Sequence, residues 1–216
     1  DPTEIKIISK ARLKNVRNHR RSRQHFTNIF EDFFLALPMQ GARLLDLGPG
    51  QFDFGALARD RGAEVVSLDN DPAVVRLGNY KGFRCIEGNI EDISQQDLGG
   101  SFDGLFCKFS INAFWHWDDQ GEHTAFVEAI MSRLKPDGWS WIAPWSSAHK
   151  NAELTAEDKR SVLALQADLF RQFGFSGYDL DENLAKRYGV TGAVENNALF
   201  LRGLPIPDAL RSCTRL

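Results

Sequence analysis

Two rhythms of apolar and polar residues divide the chain. From Thr3 to Leu37 there is neither Gly nor Pro. Phe26, Ile29, Phe30, Phe33, Phe34 and Leu37 fall at the i, i+3, i+4, i+7, i+8 spacing of an amphipathic helix with an aromatic stripe. Such a stripe is first of all a packing surface, and Pro38 and Gly41 end it. From Ala42 the rhythm shortens. "ARLLDL" (42–47) is the continuous apolar run of a buried parallel strand. "FGALARDRG" reads as a helix closed by Gly62, and "EVVSLD" (64–69) as a second strand. "DPAVVRLG" reads as a helix with Asp71 as N-cap and Pro72 at its first position. "FRCIEGN" (83–89) and "FDGLFCKF" (102–109) are the third and fourth strands. "EHTAFVEAIMSRLKPDG" predicts a helix over about 122–135, stopped by Pro136 and Gly138 ahead of a fifth strand, "WSWIAPW" (139–145). Residues 146–159 read as a polar connection, 161–173 as another helix, and "GYDL" and "ALFLRGL" (198–204) as final strands. Strands alternating with helices imply a parallel sheet with right-handed crossovers.

Composition narrows this picture. A chain of 216 residues, 43% hydrophobic, fits one domain with a full core and at most a small appendage. Its 26 basic and 29 acidic residues give no overall nucleic-acid footprint. The basic residues are unevenly placed, however. Lys6, Lys10, Arg12, Lys14, Arg17, Arg20, Arg21 and Arg23 fall between Ile5 and His25 with no acid among them. One reading is a solvated helix face. The other is a basic cap over an acidic body, meeting an anionic group on a substrate or polymer. Cys85, Cys107 and Cys213 show no C-x-x-C spacing, which argues against a disulfide framework or structural zinc. No apolar run reaches the roughly 18 residues of a membrane span. No signal peptide is visible, and the chain opens at Asp1, which leaves room for residues ahead of it. The default expectation is a soluble cytoplasmic protein.

The most informative stretch is "RLLDLGPGQFDFGAL" (43–57). In open parallel sheets, ligands bind beyond the carboxyl ends of the strands. Gly48-Pro49-Gly50 sits at such an end, where glycines let a ligand approach the backbone. Asp69 closes the next strand, and a carboxylate there suits the two hydroxyls of a ribose. The dinucleotide fingerprint would need a third glycine at position 53, which is Asp53. A pyrophosphate seeks bare N–H groups and positive potential, whereas Asp46 and Asp53 supply negative charge. That favours a cationic nucleoside without phosphate, and S-adenosylmethionine, with its sulfonium and ammonium, is one. Asp53 has a second reading as N-cap of the following helix, with Phe52 and Leu57 as a hydrophobic staple.

On these residues the sequence resembles the class I S-adenosylmethionine-dependent methyltransferases, in order from about Gly41 to Pro144 and more loosely to Leu204. "LLDLGPG" is similar to the family's first motif. "VVSLDND" is similar to the second, which implies Asp69 on the ribose hydroxyls with Asn70 beside it. "CIEGNIEDI" is similar to the third, where the family usually has Gly-Asp. Here it is Gly88-Asn89, and the resemblance implies Asn89, next to Ile90, against the adenine amino group. "FDGLFCKFSINAFWHW" and "LKPDGW" match the strand-four region and the turn into strand five. Phe52 stands where the first motif often has a third glycine, so it is expected to crowd the methionine end of the cofactor or shield it from water. The implied cofactor set is Asp46, Gly48, Pro49, Gly50, Phe52, Asp69, Asn70, Asn89, Ile90 and Lys108, with S-adenosyl-L-homocysteine as product. The implied fold is α/β, a Rossmann-like three-layer sandwich. Its mostly parallel seven-stranded sheet has the last strand antiparallel. Residues 1–40 form an N-terminal helical cap and residues 41–216 the cofactor-binding domain.

Methyl transfer is an in-line displacement at a carbon that the sulfonium already activates, so the protein must align the reactants and exclude water. An alcohol acceptor also gains from a general base. His116, in "NAFWHWDDQGEH", stands where many small-molecule members of the family carry a histidine. Its ordinary pKa near ~6.5 suits that role. The other reading is a histidine bonded within an aromatic cluster. His123 begins a helix and reads as exposed, and His149 follows strand five, where the acceptor pocket would lie. Trp115, Trp117 and Trp145 fall at strand ends, to stack on a sugar or flat ring or to form a lid core. Lys108 meets an acceptor anion or snorkels to solvent. Arg20 represents the basic helix over the acceptor. No metal site can be assembled from the spacing of His, Cys and carboxylates. The leading expectation is methylation of an oxygen on a small molecule or glycan bearing phosphate or carboxylate. Three alternatives stay open: N-methylation on the same fold, a scaffold that binds the cofactor without turnover, and a nicotinamide oxidoreductase. The oxidoreductase is opposed by Asp53 and by the lack of a Tyr-x-x-x-Lys signature. Nucleic-acid methylation is disfavoured because "KFSINAFW" replaces the Asn/Asp-Pro-Pro-Tyr signature after strand four. Oligomeric state stays open.

Overall fold

A computed structural model describes residues 19–112, 120–145, 155–190 and 197–216. Among the described residues, eight strands form one mixed sheet in the order β3–β2–β1–β4–β5–β7–β6–β8. β1 (Arg43–Leu47), β2 (Glu64–Asp69), β3 (Arg84–Glu87), β4 (Phe102–Asn112) and β5 (Leu134–Trp145) are parallel. β7 (Ala198–Arg202) enters antiparallel between β5 and β6 (Ser176–Asp179). β1 pairs with β2 on one side and β4 on the other, so the strand order reverses there, and ligands bind at such switch points.

The pleat sorts strand residues onto two faces. Leu44, Phe106, Trp139 and Trp141 lie in one buried cluster with α1 (His19–Phe33), α2 (Asp53–Arg59), α3 (Pro72–Tyr80) and α6 (Glu182–Tyr188). Leu45, Leu47, Leu105, Cys107 and Ile142 lie in the other with α4 (Gln120–Met131) and α5 (Ala156–Gln172). The result is the expected three-layer α/β sandwich with a mostly parallel sheet. Asp71 caps α3 as expected, accepting from the Ala73 N–H at 2.8 Å, with Pro72 in the first turn.

Three features differ from the sequence expectation. Among the described residues the sheet has eight strands rather than seven, because β8 (Thr214–Arg215) pairs antiparallel with the β6 edge. Two exposed residues carry no apolar alternation to read. Next, β5 begins at Leu134, inside the stretch expected to be helical. Leu134 pairs with Phe102, and the Phe102 N–H bonds the Arg133 carbonyl at 2.8 Å, so α4 ends at Met131. Last, α6 is additional. The Asp181 side chain accepts from the N–H groups of Asn183 and Leu184, and Gly189 ends the helix in the left-handed region, at φ 60°.

The N-terminal helix joins the core of the sheet. Ile29, Phe30, Phe33 and Phe34 are buried. The Phe34 ring lies 4.8 Å from Trp139, and Phe33 meets Trp141 edge-on at 6.2 Å. Beneath them Phe54, Phe106 and Trp141 stack at 4.0 and 4.8 Å, the offset geometry aromatic quadrupoles favour. On its other flank α1 is clamped to α6. Asp32 accepts from Nε and Nη2 of Arg187, both at 2.9 Å, and from the Tyr188 hydroxyl at 2.8 Å. Asn28 donates to the Arg187 carbonyl at 2.9 Å. Tyr188 is fully buried, and burial, reinforced by the bond to Asp32, raises its pKa.

Asp32→Ala removes the acceptor of a buried hydroxyl. It is expected to cost about 1–3 kcal/mol, read as a lower urea midpoint at unchanged slope. Asp32→Asn, which keeps an acceptor, should recover part of the loss. A midpoint equal to wild type would show that the clamp contributes nothing.

Candidate cofactor site

The turn after β1 is built around two glycines with different tasks. Gly48 extends the ladder, its N–H bonding the Leu68 carbonyl at 2.9 Å. It has φ +67°, and a Cβ there would overlap the side chain of Ser110 on β4. Gly50 is also left-handed, at φ +54°, but a Cβ on it would meet nothing within 4 Å. Gly48 therefore lets β4 pack against the turn, while Gly50 leaves bare backbone facing open space.

Phe52 is left-handed too, with φ 66° and ψ 27°. That conformation explains why a glycine suits this position, and for a phenylalanine it costs about 1–3 kcal/mol. Burying the ring contributes about as much in return. It is 1% exposed, stacked on Phe83 at 5.0 Å and packed against Gly78. The ring is therefore turned into the core against Phe83 and Gly78 rather than exposed at the turn. Phe52 is also the N-cap of α2, and Asp53 is the first helical residue rather than the cap. Its carboxylate sits at the positive end of that helix.

Carboxylates line the strand ends. Asp46 is 2% exposed, and its Oδ2 has no hydrogen-bond partner. Burial first, then the charges of Asp69 and Asp53, push its pKa up to about 8. Burial also raises the pKa of Asp69, against the opposing bond that its Oδ1 accepts from the Asp71 N–H at 2.9 Å. Beyond it, Asn70 Nδ2 donates to Asn89 Oδ1 at 3.1 Å, and the Gly88 N–H bonds the Asp69 carbonyl at 3.0 Å. These two bonds join the ends of β2 and β3, with Ile90 buried next to Asn89. Pro49 is buried in the turn, and its carbonyl accepts from the Phe52 N–H at 2.8 Å.

Lys108, toward the end of β4, is partly buried on the face of α1 and α2. Its Nζ lies 4.8 Å from the Phe26 ring centroid and 5.7 Å from that of Phe109. Burial lowers its pKa to about 8, with Asp53 opposing. Phe109 is the second left-handed phenylalanine, at φ 63°.

The structure thus gathers Asp46, Gly48, Pro49, Gly50, Asp69, Asn70, Asn89, Ile90 and Lys108 at the carboxyl ends of β1 to β4. Trp115, His116, Trp117 and His149 lie outside the described residues, and Arg20 and Trp145 are described in backbone only. His123 is 8% exposed on α4, so the expectation that it faces solvent is corrected. Sequence reasoning missed Ser110 and Phe109, and it read Phe26 only as part of a packing stripe. Only the adjacency of β1 and β4 could have pointed to Ser110, and nothing local marks it. Among the described residues no group of three or more His, Cys, Asp or Glu could hold a metal ion, and no helix is long and apolar enough to cross a membrane.

The donor set fits a cationic nucleoside. It combines a buried carboxylate with an orphaned oxygen, bare glycine backbone, and a second carboxylate one strand over. A pyrophosphate would meet like charge instead.

A match to a known protein family agrees with this chemistry. Residues 45–142 match the family profile described as a methyltransferase domain. A comparison with curated proteins finds no match. A SAM-dependent methyltransferase from Archaeoglobus fulgidus is 12% identical, with 83% of this chain and 92% of that chain covered and a TM-score of 0.51, a likeness of fold. A SAM-bound amino pentose methyltransferase from Micromonospora echinaspora is 26% identical, covering 64% and 56% at a TM-score of 0.44. A sugar N-methyltransferase from Streptoalloteichus is 20% identical, covering 61% and 52% at a TM-score of 0.43. The chain spans just over half the length of these last two. S-adenosylmethionine is the cofactor of the matched family. Residues 45–142 of the chain therefore match a methyltransferase domain.

Proposed function

We propose that the chain binds S-adenosylmethionine across the carboxyl ends of β3, β2, β1 and β4 and directs methyl transfer to an oxygen of a small molecule or glycan. The observation that carries this reading is the buried Asp46 carboxylate, with Oδ2 unpartnered, beneath a turn whose Gly50 is bare. Bound there, the cofactor supplies a methyl carbon activated by its sulfonium. Asp46 offers negative charge to a cation, Asp69 offers acceptors to ribose hydroxyls, and Asn89 keeps one Oδ1 lone pair for the adenine amino group. His116, four residues past the last residue of β4, takes the acceptor hydroxyl proton. Trp115, Trp117, Trp145 and His149 wall the acceptor, and Arg20 meets phosphate or carboxylate on it.

Calorimetric titration tests the cofactor directly. S-adenosylmethionine should bind one to one, and a nicotinamide dinucleotide should give no heat. The opposite pattern overturns the assignment. Asp46→Ala should weaken S-adenosylmethionine by about tenfold or more.

Asp46 also gives the ligand-free chain a pH signature. With its folded pKa raised from 3.8 to about 8, the folded state keeps a proton that the unfolded state releases between those values. Stability is fully present at low pH and falls as pH rises through that window, by up to about 1.4 kcal/mol per pH unit. Urea denaturation at pH 5 and pH 7.5 should show this decline in wild type and a much smaller one in Asp46→Asn. An unchanged decline would place the proton on another group.

His116→Ala should lower turnover on an alcohol acceptor by about 10²–10⁴-fold with cofactor affinity unchanged. Nearly intact turnover would remove the base and point to an amine acceptor.

A further inference from the structure

We propose that Lys108 is the counter-ion for the amino-acid carboxylate of S-adenosylmethionine, held at the β4 end of the site by the Phe26 ring of α1. This rests on the cofactor reading above and assigns one of its charged groups to one side chain.

Sheet order supplies the first step. Asn89 follows β3, Asp69 ends β2, the glycine turn follows β1, and Lys108 lies on β4, next along the same edge. Leu47 pairs with Leu68 on one side and Cys107 on the other, so the turn lies between Asp69 and Lys108. A nucleoside with its ribose on Asp69 would find the glycine turn and then Lys108 next along this edge, within reach of the charged groups of its amino-acid tail.

Strand alternation supplies the second. Leu45, Leu47, Leu105 and Cys107 belong to the α4/α5 face, so Asp46 and Lys108 share the opposite one. On that face Asp46 would hold the tail's ammonium, and a carboxylate placed near Asp46, Asp53 and Asp69 would need a cation beside it.

Lys108 has the properties of that cation. It is partly buried, with Asp53 near enough to act on its charge, and among the described residues its ammonium has no hydrogen bond or ion pair. Its contacts are the faces of Phe26 and Phe109, which orient a cation without consuming its donors. A lysine serving solvent would extend outward. A lysine serving structure would be paired, since an unpaired charge in a semi-apolar site costs stability. Burial lowers its pKa to about 8, the direction expected of an ammonium awaiting a counter-charge.

The test compares two ligands that differ only in the carboxylate, S-adenosylmethionine and decarboxylated S-adenosylmethionine, on wild type and Lys108→Met by calorimetry. Wild type should prefer the carboxylated ligand by about tenfold or more, as expected for a charge-assisted hydrogen bond. Lys108→Met should lose that preference while binding the decarboxylated ligand as wild type does, and Lys108→Arg should keep it. Lys108→Met should also unfold at the same or higher urea, because an apolar chain of similar length replaces an unpaired charge. Equal losses for both ligands, or a fall in stability, would make the residue structural and overturn the inference. Unchanged preference in Lys108→Met would assign it to the acceptor or to solvent and overturn it equally. Failure of wild type to bind either ligand would instead sink the cofactor reading itself.

Discussion

A carboxylate buried at the head of an apolar strand sets the terms for everything around it. Asp46 lies between Leu45 and Leu47, both fully buried, and one of its oxygens has no partner. Leaving such an oxygen unsatisfied costs about 1–3 kcal/mol, and leaving it charged costs more. The ligand-free fold lowers that cost by keeping the proton, which is what a pKa near 8 means. A cation brought to the turn reverses the balance, because it stabilises the ionised form. The strand end is therefore poorer without a cationic ligand than with one, and that asymmetry is a physical basis for selecting a sulfonium nucleoside over a phosphorylated one.

Backbone strain gathers at the same place. Phe52 and Phe109 are the two non-glycine residues with left-handed φ among the described residues, and they flank the turn on α2 and β4. Each would be easier as glycine. Their cost is offset by packing, the Phe52 ring on Phe83 and the Phe109 ring beside Lys108. The stability spent at the strand ends comes from the aromatic column beneath, where Phe54, Phe106 and Trp141 stack and α1 adds Phe33 and Phe34. The rigid body of the sheet thus holds in place a site that would not be stable alone.

How much of this the sequence displays depends on whether a feature is local. The β1–turn–α2 unit, the Asp71 cap and the acid closing β2 are short-range patterns, and they stand where the residues place them. Features set by partners far along the chain leave no such trace. The burial of Phe52 depends on Phe83 and Gly78. The need for glycine at 48 depends on Ser110, 62 residues away. β8 is two polar residues that pair only because β6 offers a free edge. The start of β5 is hidden for a similar reason, since Leu134 continues a helical pattern until Phe102 claims it as a strand partner. α6 is different, because Asp181 and Gly189 are legible start and stop signals around a seven-residue helix.

The N-terminal helix links these levels. Its inner residues belong to the core of the sheet, its Asp32 is bound by Arg187 and Tyr188 of α6, and its Phe26 covers the Lys108 ammonium. Phe26 also lies 5.9 Å from Phe106, so the ring over the lysine is seated on the central aromatic column. A helix fixed at both flanks cannot shift at Phe26 without disturbing either the column or the α6 clamp. The position of Lys108 is thus set by the whole layer rather than by β4 alone. The Lys108 ammonium is presented by the same packing that makes the domain stable.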